Sequence, residues 1–215
     1  MNIFAPLPAS ADAPLSRHGE RLPTSVVKIL EGTLRGIASR GVRRLSMSDI
    51  IDASGVSRGT LYRHFSTKEE VMTAVAEFVC TNFETGVREV AERHDDPIER
   101  FRAVMRFFAR FTVERSPERM LEVEPTFYLD FFHSHFARHK AAVEGALGRT
   151  FDHLEGLWGA PIDREGVCEA LVRMQLSSLI VPMDARWTEL WENAPDRIQY
   201  WINQFVGGAA PCKER

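Results

Sequence analysis

Apolar side chains recur every three or four residues along most of this 215-residue chain, and no stretch alternates as a half-buried strand would. This spacing predicts an all-α protein of about nine helices. Proline, glycine and capping residues place the boundaries between the helices. The predicted helices cover residues 24–39, 46–54, 57–65, 67–94, 97–115, a short stretch before Pro125, 125–157, 163–181 and 195–206.

The second and third predicted helices are short and are joined by a tight turn. Ser46 and Asp49 have the spacing of a capping box, with Asp in place of the usual Glu or Gln. Gly55 supplies the turn because glycine adopts a positive φ without strain, and Ser57 caps the helix that follows. Two short helices joined in this way predict a helix-turn-helix, the form of many DNA-binding domains.

The third predicted helix has an apolar inner side and a basic, hydroxyl-rich outer side. Leu61 and Phe65 face inward, whereas Gly59 leaves room for the backbone to approach a duplex. Arginine donates two hydrogen bonds to guanine, and tyrosine and histidine suit phosphate oxygens. The predicted DNA-contacting residues are Ser46, Ser48, Ser57, Arg58, Gly59, Thr60, Tyr62, Arg63, His64 and Lys68.

The charge distribution supports this placement. The whole chain has a formal net charge of −3, but residues 17–72 carry +4 and the remainder carries −7. A basic N-terminal part attached to an acidic body indicates that only the first part approaches phosphate.

The segment from Val26 to Val75 closely resembles the N-terminal domain of TetR-family transcriptional regulators. The matching motifs are A-S-G-V-S at residues 53–57, G-T-L-Y-R-H-F at residues 59–65 and T-K-E at residues 67–69. In that family the positions matching Thr60, Tyr62, His64 and Lys68 commonly touch DNA. The resemblance also implies a palindromic double-stranded operator and a divergent helical C-terminal domain, which binds a small-molecule effector and dimerises through its last two helices.

These observations predict four segments: an N-terminal arm (residues 1–20), a helix-turn-helix domain (21–68), a helical ligand-binding and dimerisation domain (69–208) and a tail (209–215). The penultimate predicted helix is apolar around most of its circumference, so several of its sides must be covered. A second copy of the chain is the simplest cover. The residues predicted at this homodimer interface are Leu171, Ser178, Leu179, Ile198, Trp201 and Phe205.

The middle of the chain is rich in aromatic residues, which favours either ordinary core packing or a cavity for an apolar or ring-containing ligand. The predicted pocket residues are Phe108, Phe111, Tyr128, Phe132 and Gln175. His135 and His139 have a spacing that can chelate a metal. Because no cysteine is close to them, we expect exposed or core histidines, and neither a metal nor a cofactor.

Three well-separated cysteines and the lack of a membrane-length apolar run favour a cytoplasmic protein. The leading hypothesis is a repressor that a small apolar or aromatic ligand releases from its operator. A helical enzyme acting on an apolar small molecule is an alternative, although no catalytic fingerprint is present. A helical adaptor that binds protein is a third. The sequence does not decide whether the protein represses or activates transcription. It also does not identify the ligand or the operator sequence.

Overall fold

The computed structural model describes residues 21–115 and 125–181, together with Glu189, Asn193 and Asp196. In these ranges the chain forms seven α-helices. Their bounds are α1 (Thr24–Arg40), α2 (Met47–Ser54), α3 (Arg58–His64), α4 (Lys68–Glu92), α5 (Pro97–Arg115), α6 (Pro125–Trp158) and α7 (Arg164–Ile180).

The helix ends follow local chemistry. Ser46, Ser57, Thr67 and Asp163 each cap the helix that follows, with a side-chain oxygen that accepts a hydrogen bond from a backbone N–H three residues on. Gly55 ends α2 in the left-handed conformation, at φ 67°. These caps and the helix limits they set agree with the sequence predictions. The short helix before Pro125 lies outside the described residues, as do the arm, the tail and the final helix over residues 195–206 except for Asp196.

The first hydrophobic core lies where α1, α2, α3 and the beginning of α4 meet. Helices α1 and α2 approach closely because Gly32 carries no side chain at their contact. A Cβ atom added to Gly32 would lie 2.6 Å from the Cα of Ser54. One added to Gly36 would lie 2.5 Å from a methyl group of Leu45, in the loop that precedes α2. Gly32 therefore allows the close contact of α1 with α2, and Gly36 leaves room for this loop.

The second hydrophobic core joins the distal half of α4 to α5, α6 and α7. Phe83 is its centre: its ring lies 5.2 Å from that of Phe111 and 5.7 Å from that of Phe107. Cys80 and Cys168 are both fully buried, and burial raises the pKa of their thiols to about 12 and about 11. Both thiols are therefore protonated and unreactive near neutral pH.

Two helices run through both cores. Helix α4 contributes Val71 and Val75 to the first core and Val87 to the second. Helix α6 contributes Tyr128 to the first core and Leu147 to the second. The first core therefore extends beyond residue 68, where the sequence analysis placed the end of the helix-turn-helix domain.

Arg138 fastens α6 to α4 between the two cores. Its guanidinium donates to Glu77 across 2.8 Å, forms a two-pronged pair with Glu84, and lies 3.3 Å from the Thr81 hydroxyl. All three partners belong to α4, and the Arg138 side chain is a quarter exposed. Helices α4 and α6 are thus joined by charge as well as by apolar packing.

Helix α7 has one apolar side that is exposed in the part of the chain that the structure describes. Val167, Met174 and Val181 are 38%, 39% and 59% exposed, and Ala170 on the same side is also exposed. Val167, Ala170 and Met174 recur at intervals of three and four and therefore lie on one side of α7, and Val181 directly follows the helix. These four residues are here called the α7 strip. Among the described residues, no helix combines the length and the hydropathy needed to cross a membrane.

Candidate nucleic-acid interface

Helix α3 is a short helix held firmly from beneath. Leu61 has no exposed surface and anchors α3 in the first core. At the helix start, the Ser57 hydroxyl accepts a hydrogen bond from the Thr60 N–H across 3.1 Å, and the two hydroxyls lie 2.9 Å apart. Ser57 and Thr60 therefore fix the orientation of the first turn.

The outer side of α3 is open and cationic. Arg58, Gly59, Tyr62 and Arg63 are all exposed, Tyr62 by 43%. The Arg58 guanidinium lies 5.7 Å from the centre of the Tyr62 ring, within the range of a cation–π contact. A Cβ atom at Gly59 would meet no atom within 4 Å. A duplex can therefore approach the backbone at this point without displacing a side chain.

The N-terminus of α2 is closed by the predicted capping box. Ser46 Oγ accepts from the Asp49 N–H across 3.2 Å, and Asp49 Oδ2 accepts from the Ser46 N–H across 2.9 Å. Hydrogen bonds from Ser46 and the nearby charge of Arg40 hold the pKa of the Asp49 carboxyl below its ordinary value. Ser46 and Ser48 remain exposed at this end of α2.

Two of the predicted DNA-contacting side chains make bonds inside the protein. His64 Nε2 lies 3.0 Å from Ser25 Oγ, so His64 braces α3 against α1. Lys68 Nζ donates to the Val42 carbonyl across 2.5 Å and ties the start of α4 to the loop before α2. Lys68 keeps two further N–H donors. For His64, the bond to Ser25 occupies one ring nitrogen, and its contact with DNA stays a prediction.

Three arginines close to this surface are not among the predicted DNA-contacting residues. Arg35 donates to the Ala53 carbonyl across 2.8 Å and so braces the end of α2 just before the turn. Arg43 and Arg44 are exposed in the loop that leads to Ser46. The Arg43-Arg44 pair is visible in the sequence as local charge, whereas the bond from Arg35 spans 18 residues and has no local signal.

The structure divides the five predicted pocket residues between the two cores. Phe108 and Phe111 are buried in the second core, whereas Tyr128 is buried in the first and Phe132 packs against it. Gln175 is 2% exposed on α7. The five side chains therefore do not form one continuous wall.

Leu171 and Ser178, predicted at a dimer interface, face the interior of the protomer. They are 7% and 2% exposed, and Leu171 belongs to the second core. The uncovered side of α7 is the α7 strip. The Leu179 side chain, Ile198, Trp201 and Phe205 lie outside the described part of the structure.

The two histidines considered as metal ligands contact phenylalanine residues. His135 lies 2.8 Å from the Phe131 carbonyl through Nδ1 and stacks on the Phe131 ring. His139 is 7% exposed, with its ring 4.6 Å from that of Phe83. The described residues contain no group of three or more histidine, cysteine or acidic side chains placed to hold a metal ion.

The described features have counterparts in known proteins. Residues 29–75 match the family of bacterial regulatory proteins known as the tetR family. The transcriptional activator FasR of Mycolicibacterium smegmatis is 30% identical over 139 residues, which are 64% of this chain and 63% of that protein. The transcriptional repressor KstR2 of Mycobacterium tuberculosis is 27% identical over 120 residues, which are 52% of this chain and 56% of that protein. The chain thus matches less than two thirds of the length of either relative.

Solved structures share the fold over most of the chain. A TetR-family transcriptional regulator from Streptomyces coelicolor superposes with a TM-score of 0.58 at 17% identity, covering 86% of this chain and 91% of that one. A TetR transcription regulator from Haloarcula marismortui superposes with a TM-score of 0.55 at 18% identity, covering 83% and 96%. Both likenesses extend through the helical domain, beyond the segment that carries the sequence motifs.

Proposed function

Because the chain belongs to the TetR family, we propose that it is a transcriptional regulator that binds double-stranded DNA through α3. Family membership rests on the matched N-terminal segment and on relatives that are themselves transcriptional regulators. The proposal replaces the alternatives of an enzyme and a protein-binding adaptor. We also propose that it acts in the cytoplasm, where the chromosome lies.

The open outer side of α3 is the observation that carries this proposal. Leu61 is locked in the core, so the opposite side of α3 stands away from the protein body. Arg63 brings charge to that side, Gly59 leaves the backbone accessible, and Arg58 is exposed at the start of the helix. In the major groove, arginine reads guanine, while cationic and hydroxyl groups hold phosphates. The capped ends of α2 and α4 add phosphate contacts beside this helix.

The α7 strip supports a homodimer as the DNA-binding form. The exposed apolar surface of this strip includes Val167, Met174 and Val181. We propose that a second copy of the chain covers it. A two-fold dimer binds a palindromic operator whose half-sites lie about 34 Å apart, one turn of DNA, or a multiple of that distance. The α7 strip takes the place of Leu171 and Ser178 in the proposed interface.

We further propose that the helical domain responds to a small apolar or aromatic effector and that the protein is a repressor released by it. Phe108, Phe111 and Gln175 lie in or beside the second core, where α4 also passes. A ligand there would bias the position of α4, and with it the distance between the two DNA-binding domains of a dimer. The relatives include an activator and a repressor. Expression of a reporter gene placed under the control of the operator distinguishes activation from repression.

DNA binding is tested with the full chain and the palindromic sequences next to its own gene, by fluorescence anisotropy at several salt concentrations. The wild type is expected to bind with an affinity that falls steeply as salt rises. Replacing Tyr62 and Arg63 together by alanine is expected to weaken binding by roughly 10-fold or more, because a base or phosphate contact contributes about 1–3 kcal/mol.

Arg149→Gln is the matched control for this measurement. Arg149 is 63% exposed on α6 and lies 3.3 Å from Asp95, far along the chain from α3. Its replacement should leave DNA affinity unchanged. Salt-independent binding by the wild type, or equal binding by the Tyr62/Arg63 variant, would contradict the proposal.

A further inference from the structure

A cleft separates the last turns of α4 from the middle of α5. Its volume is about 200 Å³. Three arginines and a histidine contribute to its wall, and none of the described residues that line it is acidic. The lining residues are Val90, Arg93, His94, Ala103, Arg106 and Arg110.

Nearby carboxylates form only long ion pairs with the arginines of the cleft. Arg93 lies 3.9 Å from Glu89, and its side chain is 67% exposed. Arg106 lies 3.8 Å from Glu99, but Glu99 holds Arg102 more tightly, at 2.5 Å. Exposed pairs at such distances contribute little. The cleft therefore keeps an excess of positive charge.

Helix electrostatics accounts for only part of this cluster. Arg93 and His94 follow the C-terminus of α4, where the helix dipole favours cations. Arg106 and Arg110 come from inner turns of α5 and stand four residues apart, where like charges repel each other. A bound anion would offset that repulsion.

We propose that this cleft binds a small phosphorylated metabolite through its phosphate groups. Guanidinium groups match phosphate oxygens with paired, charge-assisted hydrogen bonds. The volume is below the roughly 300–1,000 Å³ of pockets that enclose a whole organic ligand. The cleft therefore holds the phosphate groups, and the rest of the molecule extends into solvent.

The cleft is separate from the proposed DNA-binding surface. Arg93 follows Lys68 by 25 residues of one helix, which at 1.5 Å per residue is about 38 Å. It also lies at the exposed rim of the helical domain, whereas Phe108 and Phe111 are buried in its core. The proposed anion site is therefore distinct from the proposed apolar effector site, and it does not depend on DNA binding.

Isothermal titration calorimetry on the full chain tests the proposal, with inorganic pyrophosphate as the probe. Wild type is expected to bind one pyrophosphate per protomer with a dissociation constant below about 1 mM. Replacing Arg106 and Arg110 together by glutamine should weaken binding roughly 10-fold or more, since it removes two guanidinium groups that form charge-assisted hydrogen bonds with phosphate oxygens. Because both side chains are exposed, the thermal unfolding midpoint should stay unchanged.

Two control variants locate the site. Arg88→Gln removes an exposed arginine of α4 outside the cleft lining and should leave pyrophosphate affinity unchanged. The Tyr62/Arg63 double-alanine variant should bind pyrophosphate as the wild type does, which separates this site from the DNA-binding surface. Absence of binding, equal binding by the Arg106/Arg110 variant, or equal binding of citrate would overturn the proposal.

Discussion

At the scale of single residues, Gly32 occupies a position in the first core that leaves no room for a side chain. A methyl group at this position would lie 2.6 Å from both the Cα and the Cβ of Ser54. Ser54 ends α2, and its backbone cannot rotate away as a flexible side chain does. Helix α2 would have to move, and the turn at Gly55 would move with it.

We therefore expect Gly32→Ala to lower the free energy of unfolding by about 1–3 kcal/mol, the usual cost of an overpacked core. Urea denaturation measures the change. Gly148→Ala is the matched control, because a Cβ atom there meets nothing within 4 Å and alanine favours a helix by up to about 1 kcal/mol. Equal stability of the two variants would contradict the close approach of α1 and α2.

A second prediction concerns Glu155, at the joint between α6 and α7. Its carboxylate accepts from the Arg164 guanidinium across 2.5 and 3.0 Å and from the Ile162 N–H across 3.1 Å. These bonds, those of Arg164 first, lower the pKa of Glu155 from 4.5 to about 2. The stabilisation is therefore complete above pH 4.5 and disappears as the pH falls towards 2.

The difference in urea midpoint between the wild type and Glu155→Gln should accordingly be largest above pH 5 and should shrink as the solution becomes more acidic. Carbon-13 NMR of the carboxyl group checks the titration directly. Asp152→Asn provides the comparison, because Asp152 reaches only Arg164 and is more exposed. A Glu155 carboxyl that titrates near pH 4.5 would refute the assignment.

Sequence spacing predicts a residue's role when its partner is a near neighbour in the chain. Ser46, Ser57 and Thr67 cap helices through amides three residues away, and the caps at Ser46 and Ser57 were predicted. His64 and Lys68 bond to groups 39 and 26 residues away, and no local pattern announces those bonds. The outer surface of α3 was predictable because helical periodicity places Gly59 and Arg63 opposite Leu61.

At the scale of elements, the joint between α4 and α6 is the feature that helical periodicity does not predict. Helical periodicity predicted both helices. Their packing against each other depends on contacts between side chains about 55–60 residues apart in the chain. Arg138 reaches Glu77 and Glu84, which stand two turns apart on α4. A single guanidinium thus fixes the register of one helix against the other.

Arg138→Gln is expected to lower the free energy of unfolding by about 1–3 kcal/mol, since it removes several charge-assisted hydrogen bonds from a site that is only a quarter exposed. Urea denaturation again provides the measurement. Arg149→Gln, on the same helix, removes an exposed pair with Asp95 and should change stability by less than about 1 kcal/mol. Equal effects of the two substitutions would show that Arg138 is only a surface residue.

At the scale of the whole molecule, the α7 strip determines the expected oligomeric state. Met174→Glu would place a charge in the proposed dimer interface, where an unpaired buried charge costs about 3–5 kcal/mol. We expect dimerisation to weaken on the order of 100-fold or more. Sedimentation velocity across a concentration series measures this, and binding to the palindrome should weaken in parallel.

Leu157→Glu is the corresponding control, because Leu157 is 56% exposed at the end of α6 and lies outside the α7 strip. That variant should sediment as the wild type does. A dimeric Met174→Glu protein, or a monomeric wild type, would contradict the proposed interface.

The passage of α6 through both cores also limits how this protein can be recombined. Tyr128, Phe127 and Phe132 complete the first core from a helix that begins almost 60 residues after α4 begins. A chimera cut at residue 68, or even at residue 92, would transplant an incomplete hydrophobic interior. A sensor built by joining these DNA-binding helices to another regulator's effector domain therefore has to carry the first turns of α6, or redesign the recipient helix to supply equivalent aromatic side chains.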